Sequence, residues 1–154
     1  MKPTLLNLES FTVPYESYIC KWIFEDEDDN PAPISHQDQI FLLNKEAARF
    51  LWDFDMVSDI TCTKKHFRRI SVFDSSTADH QTIKKYLFNL RIPFDTRVLI
   101  SLQPDIGFVL TWKMVIKYAH HLFVASDLYV YDRTFNWLLE FDHNDYFKFG
   151  RNDI

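Results

Sequence analysis

Residues able to do acid–base, nucleophilic or metal chemistry are scattered along this chain, and few stand at working distances in sequence. Cys62 and His66 are four apart, but Lys64, Lys65, Arg68 and Arg69 crowd them, and that field repels a cation. No second Cys/His pair stands at zinc spacing. His120 and His121 are consecutive, so on a helix their side chains diverge by about 100° and share no ligand face. No metal ligand is assigned. Nucleophilic catalysis needs a Ser, Cys or Thr with a His base and an orienting acid. Cys20 or Cys62 with one of six His makes such a set only by arbitrary choice, because no nucleophile elbow selects one. Asp142, His143 and Asp145 gather between two apolar runs, where an acid–base pair can sit and where polar residues also simply serve a turn. Gly107 and Gly150 are the sole glycines, so neither a phosphate-cradling loop nor a dinucleotide fingerprint can be built. No catalytic residue and no cofactor is assigned.

Charge is more informative. The chain has 22 Asp+Glu against 17 Lys+Arg, a net −5, and the run Glu25-Asp26-Glu27-Asp28-Asp29 carries all of that imbalance. Such a run is either a solvated loop or a docking element for a basic protein surface, where complementary charge speeds association and selects partners. The opposite cluster, Lys64-Lys65-His66-Phe67-Arg68-Arg69, has the cations and the interleaved ring that grip phosphates. The protein is acidic overall, and the acidic run either repels a polyanion or pairs with this patch, so no nucleic-acid partner is expected. No window approaches ~20 apolar residues, so no membrane span is expected. The amino terminus shows no signal-type apolar stretch, and two cysteines are too few for a disulfide framework. Two buried thiols in a cytoplasmic protein is the expectation.

These residues need a scaffold, and 154 residues with 15 Phe, 7 Tyr and 4 Trp supply ample apolar surface for one domain, residues 1–154. Ser17–Phe24 leans towards strand through its β-branched and aromatic content. The acidic run follows, and Pro31 and Pro33 bound it, so 25–34 is expected as an exposed loop. Ser35 then stands as N-cap of a helix whose apolar face is Ile40, Leu43, Ala47, Phe50, Leu51 and Phe54. A strand at 68–73, turn and cap residues at 74–77, and a helix with Ile83, Tyr86, Leu87 and Leu90 on one face come next. Thr96–Leu102 and Gly107–Thr111 read as an antiparallel pair, followed by a third helix over about 112–123. The end of the chain is a meander: strands at 128–131, 136–142 and 146–149. With 143–145 as the loop, Asp142 faces Tyr146, Phe141 faces Phe147, Glu140 faces Lys148 and Leu139 faces Phe149. That register puts the apolar pairs on one face and the salt pair on the other. The fold class is therefore α+β, an antiparallel sheet with a C-terminal meander packed by about three helices.

The C-terminal stretch carries a resemblance. Asp127-Leu-Tyr-Val-Tyr-Asp132-Arg-Thr-Phe-Asn136-Trp137, then the His143-containing hairpin ending in Phe149-Gly150, resembles the tails of small bacterial toxin-immunity proteins, including immunity partners of contact-dependent growth inhibition toxins. The resemblance covers about a quarter of the chain and implies a small, acidic, cytoplasmic protein that neutralises a cognate toxin domain by binding it. It transfers no binding residue by position; Asp132, Asn136 and Trp137 are expected to secure the turn and core. The resulting expectation is a non-enzymatic immunity protein that occludes a toxin domain, for instance a nuclease, partly through Glu25, Asp26, Glu27, Asp28 and Asp29. The alternatives are a small enzyme with its site at the 143–145 hairpin and a general protein-interaction module.

Overall fold

The computed structural model describes residues 1–59, 61–124 and 126–152. The strands are β1 (Ile40–Leu42), β2 (Arg69–Asp74), β3 (Arg97–Gln103), β4 (Ile106–Thr111), β5 (Leu128–Tyr131), β6 (Trp137–Asp142) and β7 (Tyr146–Arg151). They form one seven-stranded antiparallel sheet in the order β1-β4-β3-β5-β6-β7-β2. The helices are α1 (Ile34–Gln37), α2 (Lys45–Ser58), α3 (His80–Phe88), α4 (Trp112–Lys117) and α5 (Ala119–Leu122). The fold is α+β.

Strand alternation divides the core in two. Val98, Ile100, Phe108, Leu110, Val130, Leu139, Phe141, Phe147 and Phe149 point to one face, where α3, α4 and α5 contribute Leu87, Met114, Val115 and Leu122. Leu99, Val109, Tyr131 and Leu138 point to the other, where α2 contributes Ala47, Ala48 and Leu51. β4 is buried along its whole length and β3 from Val98 to Ser101, because both of their faces are covered.

The β6–β7 register pairs Asp142 with Tyr146, Phe141 with Phe147, Glu140 with Lys148 and Leu139 with Phe149, as the side-chain sorting predicts. The β3–β4 pair also forms as expected. Three local expectations are corrected. The long helix starts at Lys45, with Asn44 as its cap accepting from the Ala47 N–H at 2.9 Å, and not at Ser35. Ser35 lies inside the single turn α1, and Ile40-Phe41-Leu42 leaves the helix to pair with β4 at the sheet edge. Apolar residues at Ile40 and Leu43 satisfy a helical period by coincidence, and the free edge of β4 wins them. Ser17–Phe24 forms no strand: it runs from the end of one 3₁₀ turn, Tyr15–Ser17, through a second, Lys21–Phe24. Tyr18 and Phe24 from this segment set their rings edge-on to Phe108, at 5.8 and 5.3 Å. The third helix breaks at Tyr118 (φ −106°, ψ 21°), whose ring is fully buried against Phe24 at 5.5 Å. Of the two thiols, Cys62 is buried and Cys20 only half-buried.

Candidate functional site

The acidic run is a closed loop with a definite shape. Glu25 bridges Pro31, and the Asp26 N–H donates to the Asn30 carbonyl at 2.9 Å. Asp26 organises the turn from within. Its Oδ1 accepts from the N–H groups of Asp28 and Asn30, both at 2.9 Å, and its Oδ2 accepts from Asn30 Nδ2 at 3.2 Å. Those bonds, the Asn30 N–H first, hold the Asp26 carboxyl below the usual range. Asp29 sits in the left-handed region (φ 62°), a conformation Asp tolerates in turns. The five acids are therefore not equivalent. Asp26 is spent on the loop, Glu27 lies 3.6 Å from Lys84 of α3, and Asp28 and Asp29 stand exposed. Ile19, Trp22 and Ile34, 84%, 48% and 86% exposed, flank the loop in sequence.

The 143–145 hairpin is built as a turn. The Asp145 N–H donates to the Asp142 carbonyl, and the Asp145 carbonyl accepts from both the Ser75 N–H and the Ser75 hydroxyl. His143 is held to Asp127, with both its N–H and its Nδ1 at 2.8 Å from Asp127 Oδ1. Asp142 Oδ1 lies 3.7 Å from the same ring nitrogen. The hydrogen bond to Asp127 raises the His143 pKa, and the same bond lowers that of Asp127. Asp127, Asp142 and His143 put one ligand-type atom each within 4.8 Å of one another, an arrangement that serves as an ion pair at the hairpin tip.

The basic cluster loses its interleaved ring. Phe67 is buried, and its ring fills the space over Gly150, where an added Cβ would lie 2.7 Å from it. It cannot stack on a base. His120 and His121 do not diverge as expected: although consecutive on α5, their rings lie 4.1 Å apart, with His80 at 5.6 Å from His120. Burial lowers the His120 pKa, and His121 and Lys84 lower it further.

A cleft that was not anticipated lies on the α2 face, across the sheet from the acidic loop's neighbours α3–α5. Its volume is about 320 Å³, and its lining includes Trp52 and Asp55 of α2, Ser101 of β3, Asp127, and Tyr129 and Tyr131 of β5. Tyr131 is buried and donates its hydroxyl to Asp55 Oδ1 at 2.5 Å. Burial pushes the Asp55 carboxyl up to about 6, against the smaller opposing effect of the Tyr131 bond. Ser101 is 8% exposed and its Oγ has no hydrogen-bond partner among the described residues. The β3–β4 register shifts between Ser101 and Gln103, a bulge beside the cleft. One signal for this site was present in sequence: Asp55 is four residues after Leu51 and adjacent to Phe54, which puts a carboxylate at the edge of an apolar helix face. Ser101 and Asp127 gave no such signal, because strand pairing alone brings them to α2.

Comparison of the chain with protein-family models, curated proteins and solved structures finds no match. Among the described residues, no helix is long and apolar enough to cross a membrane.

Proposed function

We propose that this is a non-enzymatic binding protein of the immunity type, which acts in the cytoplasm by docking on a basic bacterial toxin domain and occluding it. The observation that carries the reading is the acidic loop. Its backbone is closed by the Glu25–Pro31 bridge and the Asp26 bonds, while Asp28 and Asp29 face solvent and exposed Trp22 and Ile34 flank the loop in sequence. A preformed charged loop loses little conformational entropy on binding, and exposed Trp is the side chain most often found as an interface anchor. A nuclease is a suitable target, since its phosphate-binding cleft accepts carboxylates held a few ångströms apart. The reading divides labour within the run: Asp28 and Asp29 steer, Trp22 anchors, and Asp26 holds the loop.

The test is co-expression with the product of the neighbouring gene, scored for rescue of growth and for co-purification. Rescue with a co-purifying complex supports the reading. If the pair forms, D28N/D29N should slow association several-fold at low salt and little at high salt. Association unchanged by that double substitution removes the loop from the interface. Absence of both rescue and complex with any adjacent gene product overturns the immunity reading.

A further inference from the structure

The cleft on the α2 face stands apart from the acidic loop and is explained by nothing in the binding role just described. We propose that it is a binding site for an organic monocation, a protonated amine or guanidinium carried on an apolar body, with the charge on Asp55 and the body against Trp52 and Tyr129.

Four observations carry this. First, the volume of about 320 Å³ is at the small end of ligand-sized cavities, about 300–1,000 Å³. Second, the sign of the site is negative: Asp55, Asp59 and Asp127 all line it, and no Lys or Arg does among the described residues. Third, of these carboxylates Asp55 alone lacks a cation among the described residues. Asp127 has His143 at 2.8 Å and Asp59 has Lys65 at 3.9 Å, whereas Asp55 has the neutral Tyr131 phenol. Asp55 Oδ2 accepts no hydrogen bond from the described residues, so one face of a half-buried carboxylate is open to a donor. Fourth, the buried Ser101 hydroxyl, which lines the same cleft, has no partner among the described residues and is free to bond a ligand. Trp52 and Tyr129 supply aromatic surface, the usual companion of a carboxylate in sites for organic cations. A neutral ligand leaves Asp55 unpaired, and an anion is repelled by all three carboxylates.

The site also predicts its own pH dependence. A cation binds the ionised form of Asp55, and ionisation is opposed by burial until about pH 6. The other titratable groups facing it are Tyr131 and Tyr129 from β5, Asp127 ahead of β5, and Asp59 after α2. The tyrosine pKa values are raised, so both stay neutral, and that of Asp127 is lowered, so it stays ionised. As pH falls Asp55 loses its charge and His143, bonded to Asp127, gains one; both changes weaken cation binding, and affinity should fall at least about tenfold from pH 7.5 to pH 5.

The experiment uses the full chain and benzylammonium, followed by NMR chemical-shift titration at pH 7.5 and pH 5. Benzyl alcohol is the neutral control, and a capped Ala-Arg-Ala peptide presents the same chemistry on a polypeptide. Expected are shifts mapping to Trp52, Tyr129 and Ser101, binding at least tenfold weaker for benzyl alcohol, and at least tenfold loss in D55N. Tighter binding of the peptide would assign the site to a basic side chain of a partner, and tighter binding of benzylammonium to a free amine; either supports it. No saturable shift with either cation, equal binding of benzyl alcohol, or affinity unchanged between the two pH values in the wild-type chain would overturn it. None of these results depends on whether a toxin partner is found.

Discussion

Replacing Asp55 by Asn should make the protein more stable at neutral pH, and the gain should disappear in acid. Asp55 has its folded-state pKa raised from 3.8 to about 6 by burial. A carboxyl raised in this way favours folding while it is protonated. Its contribution is fully present below about pH 4 and is lost as pH rises through about 6. At ~1.4 kcal/mol per pH unit, the difference between 3.8 and about 6 gives on the order of 3 kcal/mol. Asp55 is half-buried and not sealed, so screening by solvent brings the expected effect to about 2 kcal/mol. That is a large share of a typical domain stability of about 5–15 kcal/mol. Asn keeps the shape and an oxygen that accepts from the Tyr131 hydroxyl, so the substitution removes the charge and little else. Urea unfolding of both proteins at pH 7.5, 6, 5 and 4 measures this directly. The D55N advantage should be about 2 kcal/mol at pH 7.5 and close to zero at pH 4, with equal denaturant slopes. A difference constant across that range, or a D55N protein less stable at every pH, would refute the account of Asp55 as a carboxylate held against its solvation preference. Stability given up at one carboxylate is what a cation-binding site requires, and the same variant should lose the ligand.

Three further outcomes are expected. Gly150→Ala should destabilise by about 1–3 kcal/mol in urea unfolding, because the new Cβ meets the Phe67 ring at 2.7 Å; pairing it with Phe67→Leu should recover part of the loss. Asn44→Ala should cost about 1 kcal/mol by removing the cap on α2, whereas Ser35→Ala should change stability by less than about 0.5 kcal/mol, and equal effects would contradict the helix start at Lys45. His143 should titrate above 6.5 by NMR, and Asp127→Asn should bring its midpoint down. Its contribution to hairpin stability is present below the unfolded pKa and lost as pH rises through the raised folded value, so an unmoved midpoint in that variant would remove the ion pair.

The parts of the fold that could be read directly are those governed by local pairing. In β6–β7, a three-residue turn and strict alternation admit one register that sorts Phe141 with Phe147 and Glu140 with Lys148, and that register forms. In β3 and β4, two largely apolar runs separated by Gln103-Pro104-Asp105 have little choice but to pair. Local pattern failed where a distant partner outbid it. Ile40 and Leu43 fit a helix face until β4 offers an edge, and Ser17–Phe24 has strand composition but anchors as 3₁₀ turns on Phe108. The acidic run illustrates both sides: its charge and its proline boundary were visible, while the division between Asp26, which holds the loop, and Asp28 and Asp29, which face solvent, depends on hydrogen-bond geometry.

Composition and patterning alone specify an acidic α+β chain with an aromatic core, a meander at its end and one concentrated negative loop, because charge, alternation and turn chemistry act over a few residues. Tertiary structure alone settles that β2 closes the far edge of the sheet on β7, that Phe67 seals Gly150 and leaves the basic cluster without a free ring, and that Asp55, Ser101 and Asp127 share one cleft. Those three residues are separated by tens of positions along the chain. The free energy that places them together belongs to the sheet and to α2, and none of it is stored in the residues themselves.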